Sequence, residues 1–255
     1  MIRNQHITWV LMITLLQGCG LWESKPNDTL NLVKVLSTQL DVPEPSGLTL
    51  GLNGQLYTVS DPPNNRVYVL DAVGNYLKTL SYHGDDLEGV SFDPQDSTLW
   101  IIEEGLSELV HIDTSGEELS RWQVAFEVDD MNQGFEGILR DVAKNEIIIA
   151  TQAGPPNLIM LDSNMQIRSV VDMAFASNLT GICRGRSVDE IFLISDKDQK
   201  LFIWSETEGL LGQYHFGGTQ IEGVAFDEIN GRIYLVSDSK SELYVYQFPE
   251  SEVIG

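Results

Sequence analysis

Basic residues are scarce in this 255-residue chain, with 15 Lys and Arg against 38 Asp and Glu and a net charge of −23. That balance argues against functions that rest on neutralising phosphates, so nucleic acid is not an expected partner. It equally opposes docking on anionic lipid through a basic patch, and it favours cations or basic partners. A plain, soluble acidic surface is the simplest account of much of the excess. Cysteine is rarer still, with only Cys19 and Cys183. No apolar run reaches the roughly 20 residues that a membrane span needs. The chain beyond its N-terminal segment has no long stretch of helical periodicity. Common catalytic signatures are missing too: no Gly-x-Ser-x-Gly elbow, no His-Glu-x-x-His, no P-loop, no Cys-x-x-Cys pair. Gly217-Gly218 lacks the spacing of a dinucleotide fingerprint.

The N-terminal segment does carry a signal. Residues 1–6 hold Arg3 and no acid, and residues 7–16 are short and mostly apolar. They end in Leu16-Gln17-Gly18-Cys19, which resembles the bacterial lipobox, where the Cys is acylated and becomes the new N-terminus. Gln17 is a less usual residue at its place. The alternative is a plain secretory signal with an incidental Cys. Gly20, not Asp, follows the Cys, which resembles the outer-membrane sorting pattern. The expected organisation is therefore a signal peptide over residues 1–18, a tether over 19–28 and a folded domain over 29–255. With Cys19 acylated, Cys183 has no disulfide partner, and its apolar strand context reads as a buried, inert thiol.

The dominant feature is an internal repeat. Five segments align on a glycine: Ser46-Gly47-Leu48, Glu88-Gly89-Val90, Glu136-Gly137-Ile138, Thr180-Gly181-Ile182 and Glu222-Gly223-Val224, spaced 42, 48, 44 and 42 residues apart. Each opens a short apolar strand, and turn sequences such as Asn53-Gly54, Asp93-Pro94 and Asn230-Gly231 follow. Second strands are expected over 56–60, 99–103, 147–151, 191–195 and 233–237. Third strands are expected over 66–70, 108–112, 157–161, 201–204 and 242–246. Four strands per repeat of about 44 residues is the mark of a propeller blade. The last repeat stops after its third strand, whereas residues 30–37 form a strand-like segment ahead of the first. The reading is an all-β, five-bladed β-propeller, closed by an N-terminal strand that completes the last blade. A sixth blade would need about 40 more residues, and the longest spacing offers only a few. Tyr57, Trp100, Trp204 and Tyr234 read as packing between blades.

This pattern resembles the SdiA-regulated, YjiK-like family of bacterial propellers, distantly similar to NHL-repeat proteins. The residues that carry the resemblance are Ser46-Gly47-Leu48, Leu-Tyr-Thr-Val-Ser-Asp-Pro-Pro over 56–63, and Asp86-Leu87-Glu88-Gly89-Val90. Phe135-Glu136-Gly137, Ile221-Glu222-Gly223 and Ser237-Asp238 add to it. The resemblance covers about residues 30–248. It implies a five-bladed propeller, exported or membrane-tethered, with a bound calcium and no established activity. The Trp-Asp and Gly-His marks of WD40 blades are absent.

The residues also point to a cation by their own chemistry. In a propeller the innermost strand begins, and the second strand ends, on the same face of the disc. Glu88, Glu136 and Glu222 precede the repeat glycine and so face one channel mouth from three blades. Asp61, Glu104, Gln152, Asp196 and Asp238 follow second strands and should rim that mouth. Converging carboxylates raise one another's pKa, and calcium, which takes six to eight oxygens, relieves this. Without thiolate or imidazole clusters, hard oxygen ligands favour calcium or magnesium over zinc. The expected metal ligands are Glu88, Glu136 and Glu222, then Asp61, Asp196 and Asp238. The alternative is that these acids merely cap strand ends.

Two functional readings follow. One is a calcium-binding cell-envelope lipoprotein, monomeric, anchored by lipid on Cys19 in the outer membrane, and acting as a scaffold for a small-molecule or protein ligand. The other is a calcium-dependent hydrolase of a lactone, ester or phosphoester. Its candidate general base is His83, an imidazole that titrates near neutrality; both His83 and His215 also fit surface or structural roles.

Overall fold

The computed structural model describes residues 30–126, 134–152 and 155–249. Among them are 21 strands, two single 3₁₀ turns and no α-helix. Four consecutive antiparallel strands form each of the first four blades. The first is β3 (Pro45–Leu50), β4 (Leu56–Ser60), β5 (Arg66–Leu70) and β6 (Tyr76–His83). The second is β7 (Leu87–Asp93), β8 (Thr98–Glu103), β9 (Glu108–Asp113) and β10 (Glu118–Gln123). The third is β11 (Phe135–Asp141), β12 (Glu146–Thr151), β13 (Asn157–Leu161) and β14 (Ile167–Asp172). The fourth is β15 (Gly181–Arg184), β16 (Ile191–Ser195), β17 (Lys200–Ser205) and β18 (Gly209–His215). The fifth takes β19 (Ile221–Asp227), β20 (Arg232–Ser237) and β21 (Glu242–Gln247) from the C-terminal end of the chain. Its outer strand is β2 (Val33–Gln39), in antiparallel register from Val33 opposite Gln247 to Gln39 opposite Glu242. The chain is a five-bladed β-propeller, closed by its N-terminal strand.

The closing segment differs from the expected single strand in one respect. Its first two residues, β1 (Leu30–Asn31), pair in parallel with β18 of blade four before the chain crosses to blade five. Leu32, at the crossing, donates its N–H to the carbonyl of His215 and is buried with Tyr214, Phe216 and Tyr246 between the two blades. One apolar side chain thus fixes the point where the strand changes sheet.

Burial follows position within the blade. The second strands are buried residue after residue, because blades stack on both of their faces, so their sequences are near-continuous apolar runs. Outer strands such as β14 are mostly exposed. Apolar packing falls into five clusters, each bridging two adjacent blades. Tyr57, Trp100, Trp204 and Tyr234 lie in four of them, as packing residues.

The repeat glycines are explained by close approach at the axis. A Cβ on Gly47 would lie 2.6 Å from the carbonyl oxygen of Glu88, and one on Gly89 2.6 Å from that of Glu136. A Cβ on Gly181 would lie 2.9 Å from the carbonyl of Glu222, and one on Gly223 2.5 Å from that of Ser46. Gly137 completes the ring against Gly181 and Ile182. Each inner strand therefore touches the next through backbone, and any side chain would push the ring open. The space left along the axis at this level is about 10 Å³, about one water molecule.

Aspartates set the hairpins. Asp93, Asp141 and Asp227 end three inner strands and accept N–H groups of the following turn, such as Gln95 N–H at 2.9 Å and Ile229 N–H at 3.0 Å. Asp71, Asp113 and Asp162 do the same between third and fourth strands. Asn53-Gly54 turns as its sequence predicts, both residues having positive φ (59° and 73°).

Candidate cation site at the acidic mouth

At the N-terminal ends of the inner strands, the residues before the repeat glycines form a ring of Ser46, Glu88, Glu136, Thr180 and Glu222. The two hydroxyls serve the backbone and a neighbour. Ser46 Oγ contacts Glu88 Oε2 at 2.8 Å and its carbonyl at 2.9 Å, and Thr180 Oγ1 donates to the carbonyl of Ile221 at 2.7 Å. The three carboxylates have no ion-pair partner among the described residues.

The second-strand ends bring in further acids by a repeated backbone latch. Asp61 N–H bonds to the carbonyl of Glu44, Glu104 N–H to that of Asp86, Gln152 N–H to that of Gly134, and Asp238 N–H to that of Gln220. Every acceptor is the residue two before a ring position. Three of them, Glu44, Asp86 and Gln220, are left-handed, with φ of 46°, 58° and 49°. Asp196 accepts the N–H of Ile221 at 3.0 Å. Glu104 Oε1 accepts the N–H of Gly134 at 2.7 Å, bridging blades two and three.

Electrostatics show which acids sense one another. Burial, then the charges of Asp238, Glu222, Asp86 and Glu44, push Asp61 up to about 8. Burial, then Asp196 and Asp238, push Glu222 up to about 7. Glu136 is held well above the usual carboxylate range by burial, then by Glu222, Glu104, Asp61 and Asp86. Glu88 is raised by burial, Glu136 and Asp61, against a weaker opposing pull from the Ser46 hydroxyl. Burial also raises Asp238, with Glu44, and Asp86, with Asp85. Asp61 Oδ1 is buried without a hydrogen-bond partner among the described residues.

One tight grouping falls at blade two. Asp86, Glu88 and Glu104 each place a carboxylate oxygen within 4.8 Å of the other two. Glu88 was an expected ligand and Glu104 an expected rim residue, whereas Asp86 was not singled out for this chemistry. No periodic signal marked it: Asp86 is left-handed, so strand alternation does not predict where its side chain lies. Glu136, Glu222, Asp61, Asp196 and Asp238 belong to the surrounding field and not to this tight group. His83 is exposed at the end of β6, in register with Arg66. Cys19 lies outside the described residues. Cys183 is half-buried and not fully enclosed, because it faces the opposite mouth of the channel; apolar neighbours push its thiol pKa up, which makes it a poor nucleophile.

Neither a known family model nor a curated protein sequence matches this chain. Solved structures do. A streptogramin B lyase structure is 15% identical over 86% of this chain and 74% of that one, with a TM-score of 0.50. The selenomethionine-substituted virginiamycin B lyase from Staphylococcus aureus is 14% identical over 80% of this chain and 66% of that one, with a TM-score of 0.51. At these identities the likeness establishes the shared β-propeller fold.

Proposed function

We propose that this protein is a calcium-binding lipoprotein of the bacterial cell envelope, similar to the SdiA-regulated propellers, that presents its propeller as a scaffold for a ligand. The observation that carries the cation is the Asp86, Glu88 and Glu104 group, set in a field of buried acids that raise one another's pKa. The donor set fits a hard cation, since it is all oxygen, and in the surrounding field Asp61 has a buried oxygen without a partner among the described residues. Asp86, Glu88 and Glu104 would hold the ion, and Glu136, Glu222 and Asp61 would stabilise it through their charge. Its contribution is to neutralise these carboxylates and to fix Glu104, whose other tie is the N–H of Gly134 ahead of blade three. Elemental analysis of the purified protein, with isothermal titration of the metal-stripped chain, tests this; absence of any stoichiometric divalent cation or calcium heat would overturn it.

Anchoring rests on the Leu16-Gln17-Gly18-Cys19 motif, because acyl chains contribute about 0.8 kcal/mol per buried CH₂. Cys19→Ser should release the protein from membranes, and a variant still in the detergent phase would rule the anchor out. A second reading is a calcium-dependent hydrolase of a lactone, ester or phosphoester; its support is that the same fold carries enzymes, the two lyases, although of another reaction class. Calcium-dependent turnover lost in His83→Ala would replace the scaffold reading with this one.

A further inference from the structure

At the other end of the channel, the inner strands widen into a cavity of about 550 Å³, within the size range of small-molecule sites. The tight glycine level, with about 10 Å³ of free space, forms its floor and divides it from the acidic mouth. Its wall is built largely from the residues one to three places after each repeat glycine. Apolar side chains come from all five blades, among them Leu50, Phe92, Leu139, Ile182 and Phe226. Two places after the repeat glycine, blades one and two add hydroxyls, Thr49 and Ser91.

Those hydroxyls are half-used. Thr49 Oγ1 accepts the N–H of Phe92 at 3.1 Å, and Ser91 Oγ accepts the N–H of Arg140 at 2.9 Å. No bond among the described residues employs either hydroxyl's own proton, and Ser91 is 3% exposed, so both wall hydroxyls retain a donor for an incoming acceptor. The arginines of the wall are, by contrast, committed, and Glu228 adds an exposed negative charge. Arg140 donates to Asp93 at 2.8 Å, to Asn145 at 2.8 Å and to two backbone carbonyls, while Arg184 pairs with the buried Asp141. With its cations neutralised inside a chain of net charge −23, the cavity has little to offer an anion.

We infer that this cavity is a second binding site, separate from the acidic mouth, for a small neutral molecule with an apolar body and a carbonyl-type acceptor that meets Thr49 and Ser91. The inference rests on the ligand-binding half of the reading above and not on the cation.

The test uses the Cys19→Ser chain, in which every described residue is unaltered and no acyl chain competes for an apolar site. Fluorescence titration with Prodan, a neutral naphthylamine bearing an acyl carbonyl, should give one saturable site with blue-shifted emission. The same ring without its acyl group, and the same ring bearing a carboxylate, should each bind roughly tenfold more weakly, the scale of one lost hydrogen bond. Thr49→Val with Ser91→Ala should weaken Prodan by about the same factor. Because that pair leaves two backbone N–H groups unpaired, Val188→Trp at the exposed rim supplies a variant with no folding risk from burial, and it should weaken all three probes. Absence of saturable binding, or binding that Val188→Trp leaves unchanged, overturns the site. Equal affinity for the three probes overturns the assigned ligand class. Each titration is repeated with calcium and with chelator: Prodan binding that persists in chelator keeps the cavity whatever becomes of the cation, and binding lost in chelator overturns its independence.

Discussion

The hairpin turns and the acidic mouth use the same side chains to opposite effect. At the turns, Asp113 is held down to about 2 by the Ser115 hydroxyl and the backbone N–H groups of residues 115–117. Asp162 is lowered in the same way by Gln166 and Asn164. At the mouth, Asp61 is raised to about 8 and Glu222 to about 7 by burial and by other acids. A carboxylate surrounded by donors in water favours its charge, and one surrounded by carboxylates away from water opposes it. Net charge alone therefore says little about this protein: some acids serve as structural punctuation, and a minority are buried together where each opposes the charge of the others.

The contrast can be broken most severely by opening the ring. Deleting the chain through Gln39 removes β2 and leaves the outer edge of β21 unpaired, so blade five loses the strand that ties it to the start of the chain. Aggregation or loss of the cooperative melt is expected, whereas deletion of residues 20–28 should leave melting unchanged. Equal melting of the two truncations would refute the closure.

Calcium should produce the next largest effect. At 100 times its dissociation constant it adds about 2.7 kcal/mol, roughly 5–10 °C for a domain of this size. Glu88→Gln and Glu104→Gln should abolish most of that shift, and Asp113→Asn should retain it. An unchanged melting temperature in protein first shown to be metal-free sinks the cation site.

In metal-free protein at pH 8, Glu222→Gln should stabilise, by on the order of 2 kcal/mol, because it removes a charge that folding buries among like charges. The same kind of change at a turn, Asp113→Asn, should destabilise. Denaturant midpoints of the two variants decide, and a shared sign would erase the distinction.

The pH profile of the metal-free protein is a gentler probe. Asp61 and Glu222 have folded values near 8 and 7 against unfolded values of 3.8 and 4.5, so between about pH 4 and 8 the folded state holds protons that the unfolded state has lost. Stability should fall as pH rises through that window, and calcium should flatten the slope by replacing the protons. Asp113, depressed from 3.8 to about 2, acts in the other direction: its contribution is complete above about pH 4 and lost as pH falls towards 2. A metal-free stability curve that rises from pH 5 to 8 would contradict the mouth assignment.

Much of the fold could be read from the chain because each blade repeats local rules. Residues 56–60, 66–70, 157–161 and 191–195 are strands over the same bounds that their apolar runs and flanking turns predict. The detour of Leu30 and Asn31 to blade four was not legible, since a two-residue parallel pairing leaves no periodic trace. At the mouth, period and position sufficed to gather Glu88, Glu136 and Glu222 on one face. They did not rank them. Asp86 joins the tight group through a left-handed backbone turn and a latch to Glu104, and neither is written in a hydrophobic pattern.

The sequence by itself determined the repeat, the strand order, the turn chemistry and the count of blades, since these follow from alternation and spacing within about 44 residues. The tertiary structure alone decided which acids share an electric field. Asp113 and Glu136 look alike along the chain, but their pKa values are set by distances to groups on neighbouring strands and other blades, and by how much water remains. It also decided that the far mouth is a closed-bottomed cavity. That follows from five glycines meeting at one level of the axis, through contacts between residues at least 41 positions apart.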